Sequence, residues 1–168
     1  MKLCVQFLAT LLILGIACKK EKLTKATQTG ANTFSCKVDG IVFKPSEKGG
    51  LFGGEPLFVS NYPLDGFTLS ARKFGRGSTP HTDVLMKLPY LKSIGIYPLN
   101  VFPGYGQFQK DFAGGTLYQT NLTHTGSANI TRCDTINKIF SGTFSFTAID
   151  ANTGKTVNIT DGRFDVKR

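Results

Sequence analysis

With 168 residues the chain has room for one domain, because globular domains usually run to about 100 to 200 residues. Its 14 Phe sit among 19 Gly and 7 Pro, while 40% hydrophobic and only 18% charged residues exclude a disordered chain. The net charge of +9 is unevenly spread: five of the 20 basic residues and one of the 11 acidic ones precede Gly30, leaving +5 for the rest, so nucleic acid is not called for.

The first element is an N-terminal segment in which Lys2 supplies a positive charge and Val5 to Ile16 form an apolar run. That run is short of the roughly 20 apolar residues of a membrane-spanning helix and matches the core of a cleavable signal peptide. Leu14, Gly15, Ile16, Ala17 and Cys18 resemble a bacterial lipobox, with Gly15 where Leu is commonest. The resemblance implies cleavage after Ala17 and acylation of Cys18, so that 1–17 is the signal peptide. Several acyl chains make durable anchors, since each buried methylene contributes about 0.8 kcal/mol. Lys19 after the cysteine resembles the signal for transit to the outer membrane, on its periplasmic face; Glu21 alone is not the acidic run associated with surface export. Residues 18–30 are polar and read as the lipidated cysteine and a flexible tether. A single β-domain then occupies 31–168.

Within the domain, alternation at period two recurs: Phe34, Cys36, Val38; Phe67, Leu69, Ala71; Val84, Met86, Leu88; Ala128, Ile130; Phe144, Phe146, Ala148. Turn residues separate these runs at Asp39-Gly40, Asp65-Gly66, Asp134 to Asn137 and Asn152 to Gly154, the last joining two strands as a hairpin. No helical periodicity follows the signal segment. The expected fold is all-β, about nine short strands in an antiparallel sandwich or a partly closed barrel. Val157 and Ile159 have one parity and Phe164 and Val166 the other, so a bulge is expected at Thr160, Asp161 and Gly162.

GANTFSCKVDG (30–40), IYPL (96–99), SGTFSFTA (141–148) and ITDGRFDV (159–166) occur in that order. Together they resemble a family of Bacteroidetes lipoproteins of unknown function. The resemblance implies a lipid-anchored, β-rich envelope domain and carries no catalytic or binding residues with it.

Candidate chemistry is sparse. His81 and His124 stand alone in turn-like stretches, no cysteine pair has metal-ligand spacing, and no Gly-x-Ser-x-Gly elbow occurs, so neither a metal site nor a cofactor is expected. Asp161 and Asp165 are the nearest acidic pair, but a turn position and the intervening Arg163 make them structural. Arg72, Lys73, Phe74, Gly75 and Arg76 read as a solvated hairpin end. Cys36 and Cys133 are the only disulfide candidates in the mature chain. Strand parity opposes that pairing: Cys36 shares a face with Phe34 and Val38, whereas Cys133 is in phase with Asn129 and Thr131. The stretch Phe102 to Phe108 sets three aromatics, Phe102, Tyr105 and Phe108, among Gly and Pro, where they can meet a glycan or an envelope protein; Leu51 and Phe52, between glycine pairs, are a lesser candidate. The expected function is a non-catalytic binding or structural module of the envelope. A carrier with an apolar cavity and an envelope hydrolase are the alternatives.

Overall fold

The computed structural model describes residues 21–46, 54–75, 80–111 and 114–168. Cys18 with its lipobox, and Leu51 and Phe52, lie outside them. The described residues form eleven strands: β1 (Thr33–Val38), β2 (Ile41–Phe43), β3 (Leu57–Tyr62), β4 (Gly66–Lys73), β5 (Thr82–Leu88), β6 (Gly95–Leu99), β7 (Tyr105–Lys110), β8 (Thr116–Gln119), β9 (Gly126–Asp134), β10 (Ile139–Ile149) and β11 (Thr156–Lys167). The count exceeds the expected nine because β2 and β8 are only three and four residues long, too short to show alternation.

All pairings are antiparallel, in one sheet ordered β2-β1-β11-β10-β8-β7-β5-β4-β3 and curled into a half-barrel. β10 divides the sheet. Residues 139–146 pair with β9, which carries β6 on its other side, while Ile149 alone pairs with Gln119 of β8. The terminal strands, β2 and β3, do not pair with each other.

Phenylalanines fill the inside of the curl. Phe43, Phe34, Phe144, Phe164, Phe67 and Phe140 form a continuous chain of ring contacts with centroids 5.4 to 6.4 Å apart, and Phe146 stacks on Phe144. Each such side chain, once buried, contributes on the order of 1.5–3 kcal/mol. The four residues expected to fill the interior, Phe34, Phe67, Phe144 and Phe146, are all buried.

The bulge lies where the parity change places it. Phe144 faces Gly162 and Phe146 faces Ile159, so Thr160 and Asp161 together oppose Ser145. Asp161 takes a left-handed φ of 52° and forms an ion pair with Lys37 at 2.7 Å. The bulge restores the inward face: Val157, Ile159, Gly162, Phe164 and Val166 are all buried. Gly162 is required there, because a Cβ would stand 2.6 Å from the Phe144 ring and carbonyl.

Two expectations are corrected. The segment read as a free tether, 18–30, is bound to the domain from Thr24 onward: it crosses the outer face of β1, β11 and β10 and covers Ser35, Asp165, Ser141 and Ile139. Cys133 also turns inward. Ser141 faces Arg132 while Gly142 faces Ile130, so Thr131 is an extra residue that reverses the parity, and Cys133 lies opposite buried Phe140 against the core. Both cysteines are free thiols. β11 and β10 separate their strands, a span of about 14 Å at 4.8 Å per strand, beyond the roughly 7 Å limit between Cα atoms of a disulfide. Burial pushes the Cys36 thiol up to about 12.

Candidate functional site

One end of the half-barrel gathers three chain segments. The β3–β4 turn brings Pro63, Leu64 and Asp65, the end of β5 brings Lys87 to Tyr90, and the β6–β7 connection brings Phe102 and Pro103. Antiparallel pairing dictates this meeting, since Phe67 at the start of β4 faces Leu88 at the end of β5, and Lys87 faces Tyr105 at the start of β7. The turn can approach so closely because residue 66 is glycine: its φ is +76°, and a Cβ would stand 2.4 Å from the Leu88 carbonyl oxygen.

The segments enclose a cleft of about 340 Å³. Its rim is apolar and open to solvent, with Phe102 78% and Leu64 98% exposed. Phe102 stands on a braced loop. The Asn100 amide donates to the Gly104 carbonyl at 2.9 Å, the Gly104 amide to the Val101 carbonyl at 3.0 Å, and the Thr120 hydroxyl to the Asn100 carbonyl at 2.9 Å. Lys92 lies 5.7 Å from the centre of the Tyr90 ring, and Lys87 and Asp65 supply charge at the cleft wall. Exposed aromatic and proline faces with a few polar groups form a surface for flat apolar or hydroxyl-bearing partners.

Of the three aromatics singled out in the sequence, the cleft holds only Phe102. Tyr105 borders it, half-buried on the same sheet face as its register partner Lys87. Phe108 belongs to the core: two residues past Gly106 on β7 it points inward, is 8% exposed and packs its ring 6.0 Å from that of Tyr118. Period two along β7 separates Tyr105 from Phe108. Sequence reasoning missed Tyr90, Pro89, Pro63 and Leu64; their Pro-rich flanks resembled ordinary turns, and only strand order brings them together.

The perturbed carboxylates lie away from this cleft. Asp165, on the outer face of β11, is nearly inaccessible and accepts hydrogen bonds from the Thr27 hydroxyl at 2.6 Å, the Ser141 hydroxyl at 2.7 Å, and the amides of Gly30 at 2.8 Å, Thr29 at 2.9 Å and Ala31 at 3.2 Å. Burial raises its pKa, but the bonds from Thr27, Ser141, Thr29 and Gly30 outweigh burial and hold the carboxyl well below the usual range. Asp83 is raised, chiefly by burial, against a 2.9 Å bond from the Ser70 hydroxyl and the nearby Arg72. Neither faces a cavity of convergent groups. His81 stands edge-on to Phe74 and His124 lies in the Asn121 to Thr125 turn. Among the described residues no three His, Cys, Asp or Glu side chains converge to hold a metal ion.

A family model described as a domain of unknown function, DUF6252, matches residues 76–166, more than half of the chain. The chain belongs to this family. The DUF6252 region runs from the approach to β5 to the end of β11 and includes Tyr90 and Phe102 of the cleft, whereas Pro63 and Leu64 precede it. Three of the motifs noted in the sequence, IYPL, SGTFSFTA and ITDGRFDV, fall inside it, and two residues of the last have structural work: Gly162 receives the Phe144 ring, and Asp165 binds the N-terminal segment. No curated protein and no solved structure matches the chain.

Proposed function

We propose that this DUF6252 protein is a lipid-anchored envelope protein, of the Bacteroidetes lipoprotein type its motifs resemble, that works by binding through the Phe102 cleft rather than by turnover. The observation that carries the binding reading is Phe102, 78% exposed on a loop held by hydrogen bonds at its base. Exposing a large apolar ring on a braced loop costs hydration free energy that a partner recovers, and pre-organisation lowers the ordering cost of association. The partner class is a glycan or an envelope protein segment presenting a flat apolar face.

The anchor reading rests on the lipobox at Leu14 to Cys18. Because the chain is bound to the domain from Thr24, six residues at most bridge lipid and fold, a reach of about 20 Å, so the domain stays close to the bilayer surface. The proposed location is the outer membrane, facing the periplasm. The carrier alternative is the weaker one, since phenylalanine rings occupy the interior of the curl.

The test is recovery of crosslinked partners from native envelopes with wild type, Phe102→Ala and Phe108→Ala. Phe102→Ala is expected to lose a recovered glycan or protein while its unfolding free energy changes by less than about 0.5 kcal/mol. Phe108→Ala is expected to lose about 3 kcal/mol of stability as a core truncation. An unchanged partner profile for Phe102→Ala sinks the cleft assignment, and hydrolysis of an envelope substrate by the purified protein replaces binding with catalysis.

A further inference from the structure

The half-barrel leaves a seam between its two terminal strands, and among the described residues no strand pairs with the backbone along one side of it. Within the described residues β3 pairs only with β4. The Arg72 amide donates to the Pro56 carbonyl at 2.6 Å, which fixes the alternation. Phe58, Ser60 and Tyr62 therefore exchange bonds with β4, and Leu57, Val59 and Asn61 direct their N–H and C=O groups the other way, toward the seam.

Both ends of the seam are tied. At one end Pro56 has no N–H to give the Arg72 carbonyl, and the Ser46 amide takes that place at 2.9 Å, while its hydroxyl accepts from the Phe74 amide. At the other the Arg168 guanidinium donates to the Asn61 carbonyl at 3.2 Å and lies 3.8 Å over the Tyr62 ring. Between the ties lies a groove of about 860 Å³, with Phe34 and Pro45 on one wall and Leu57 and Val59 on the other. Among the described residues its charged lining is Lys44, Lys167 and Arg168 against a single acid, Glu55.

We propose that this seam binds an extended, acidic peptide segment of a partner protein, added as a strand along the free edge of β3. The segment's backbone satisfies the Leu57 and Val59 amides and carbonyls, alternate apolar side chains lie against Phe34 and Leu57, and its carboxylates meet Lys44 and Lys167. From Leu57 to Asn61 the edge is about 14 Å long, room for four or five residues. An acyl chain with an anionic head also suits the charge and the apolar walls, but it leaves the β3 backbone groups desolvated without partners, and strand addition does not. The site is separate from the Phe102 cleft and independent of lipid anchoring.

The experiment measures fluorescence anisotropy of a labelled hexapeptide of alternating Val and Glu with the full-length protein in detergent. Saturable binding that weakens at least tenfold with Lys44→Glu and Lys167→Glu together is expected, with no saturation by an alternating Val and Lys peptide. Val59→Pro removes an amide that faces the seam and not β4, and is expected to weaken binding at least tenfold while keeping the β-rich circular dichroism spectrum. The same peptide N-methylated at alternate residues loses the edge bonds with no change to the protein, and a tenfold loss is expected in one of its two methylation phases. Undiminished binding of both N-methylated peptides, absence of binding by the Val and Glu peptide, or saturable oleate binding that Val59→Pro leaves intact and that displaces the peptide each overturns the proposal.

Discussion

Asp165 shows how much one side chain can carry in a small β-domain. Three backbone amides and three hydroxyls, those of Thr27, Thr29 and Ser141, end on its carboxylate, so one residue of β11 fixes the N-terminal segment and the start of β10 together. Bonds to a charged, buried acceptor contribute about 1.5–3 kcal/mol each at most and are not additive, whereas removing the acceptor strands all the donors at once. Asp165→Ala is therefore expected to lower stability by about 3 kcal/mol or more in urea unfolding. Asp165→Asn, which retains shape but loses the charge and turns two protons toward donors, is expected to fall between that and wild type. The pH dependence has a definite sign. The folded carboxyl is held below its unfolded value of about 4, so its stabilising contribution is complete above that value and is lost as pH falls through the range beneath it. Between about pH 4 and 2 the wild type is expected to lose more stability than Asp165→Asn, measured by thermal melts across that interval.

At the scale of the element, β10 and β11 decide the architecture. Their hairpin closes on Asp150, which accepts from the Asn152 amide at 2.9 Å and from the Thr153 hydroxyl, and it provides the longest pairing in the sheet. Two irregularities then set which side chains face inward: the bulge at Thr160 and Asp161 on β11, and the extra residue Thr131 on β9. Phenylalanine rings lie over glycines on other strands, Phe144 over Gly162 of the adjacent β11 and Phe146 over Gly106 of β7, where a Cβ would stand 2.6 Å and 2.7 Å from the ring. Gly162→Ala is expected to destabilise by about 2 kcal/mol or more, because the Phe144 carbonyl as well as its ring blocks the new methyl group. Chemical denaturation checks the loss. A variant as stable as wild type shows that the bulge relaxes freely.

The whole molecule is an open curl whose outer face is partly covered by its own N-terminal segment. A protein beginning at Ala31 lacks the Thr27, Thr29 and Gly30 donors to Asp165 and the Thr24 contact with Ser35, and uncovers Ile139. It is expected to melt at least 5 °C below a protein beginning at Glu21, as about 1 kcal/mol corresponds to some 2–8 °C for domains of this size range. Equal melting temperatures remove the segment from the fold. For the proposed anchor, Cys18→Ala is expected to abolish incorporation of an acyl probe and to release the protein from membranes in a high-salt wash. Retention of the alanine variant in the pellet points to a different attachment.

Composition and alternation by themselves determined the all-β class, the hairpin at Asn152 to Gly154 and the bulge before Phe164, because each is written in neighbouring residues: period two, turn chemistry, and a visible change of parity. The inward Phe34, Phe67, Phe144 and Phe146 were legible for the same reason. Cys133 was not, since Thr131 leaves no mark in composition as a bulge residue and only its pairing with β10 reveals the reversal. Nor was the division between Phe102 and Phe108: both belong to one aromatic, glycine-rich stretch, and the point where β7 begins decides which ring is exposed and which is buried. The cleft required Pro63, Tyr90 and Phe102 to meet, residues separated by up to 39 positions, and the seam required knowing that β2 and β3 end the sheet without pairing. Local patterns encode how a strand faces; strand order, set by the free energy of burying all those faces together, determines what each surface residue stands beside.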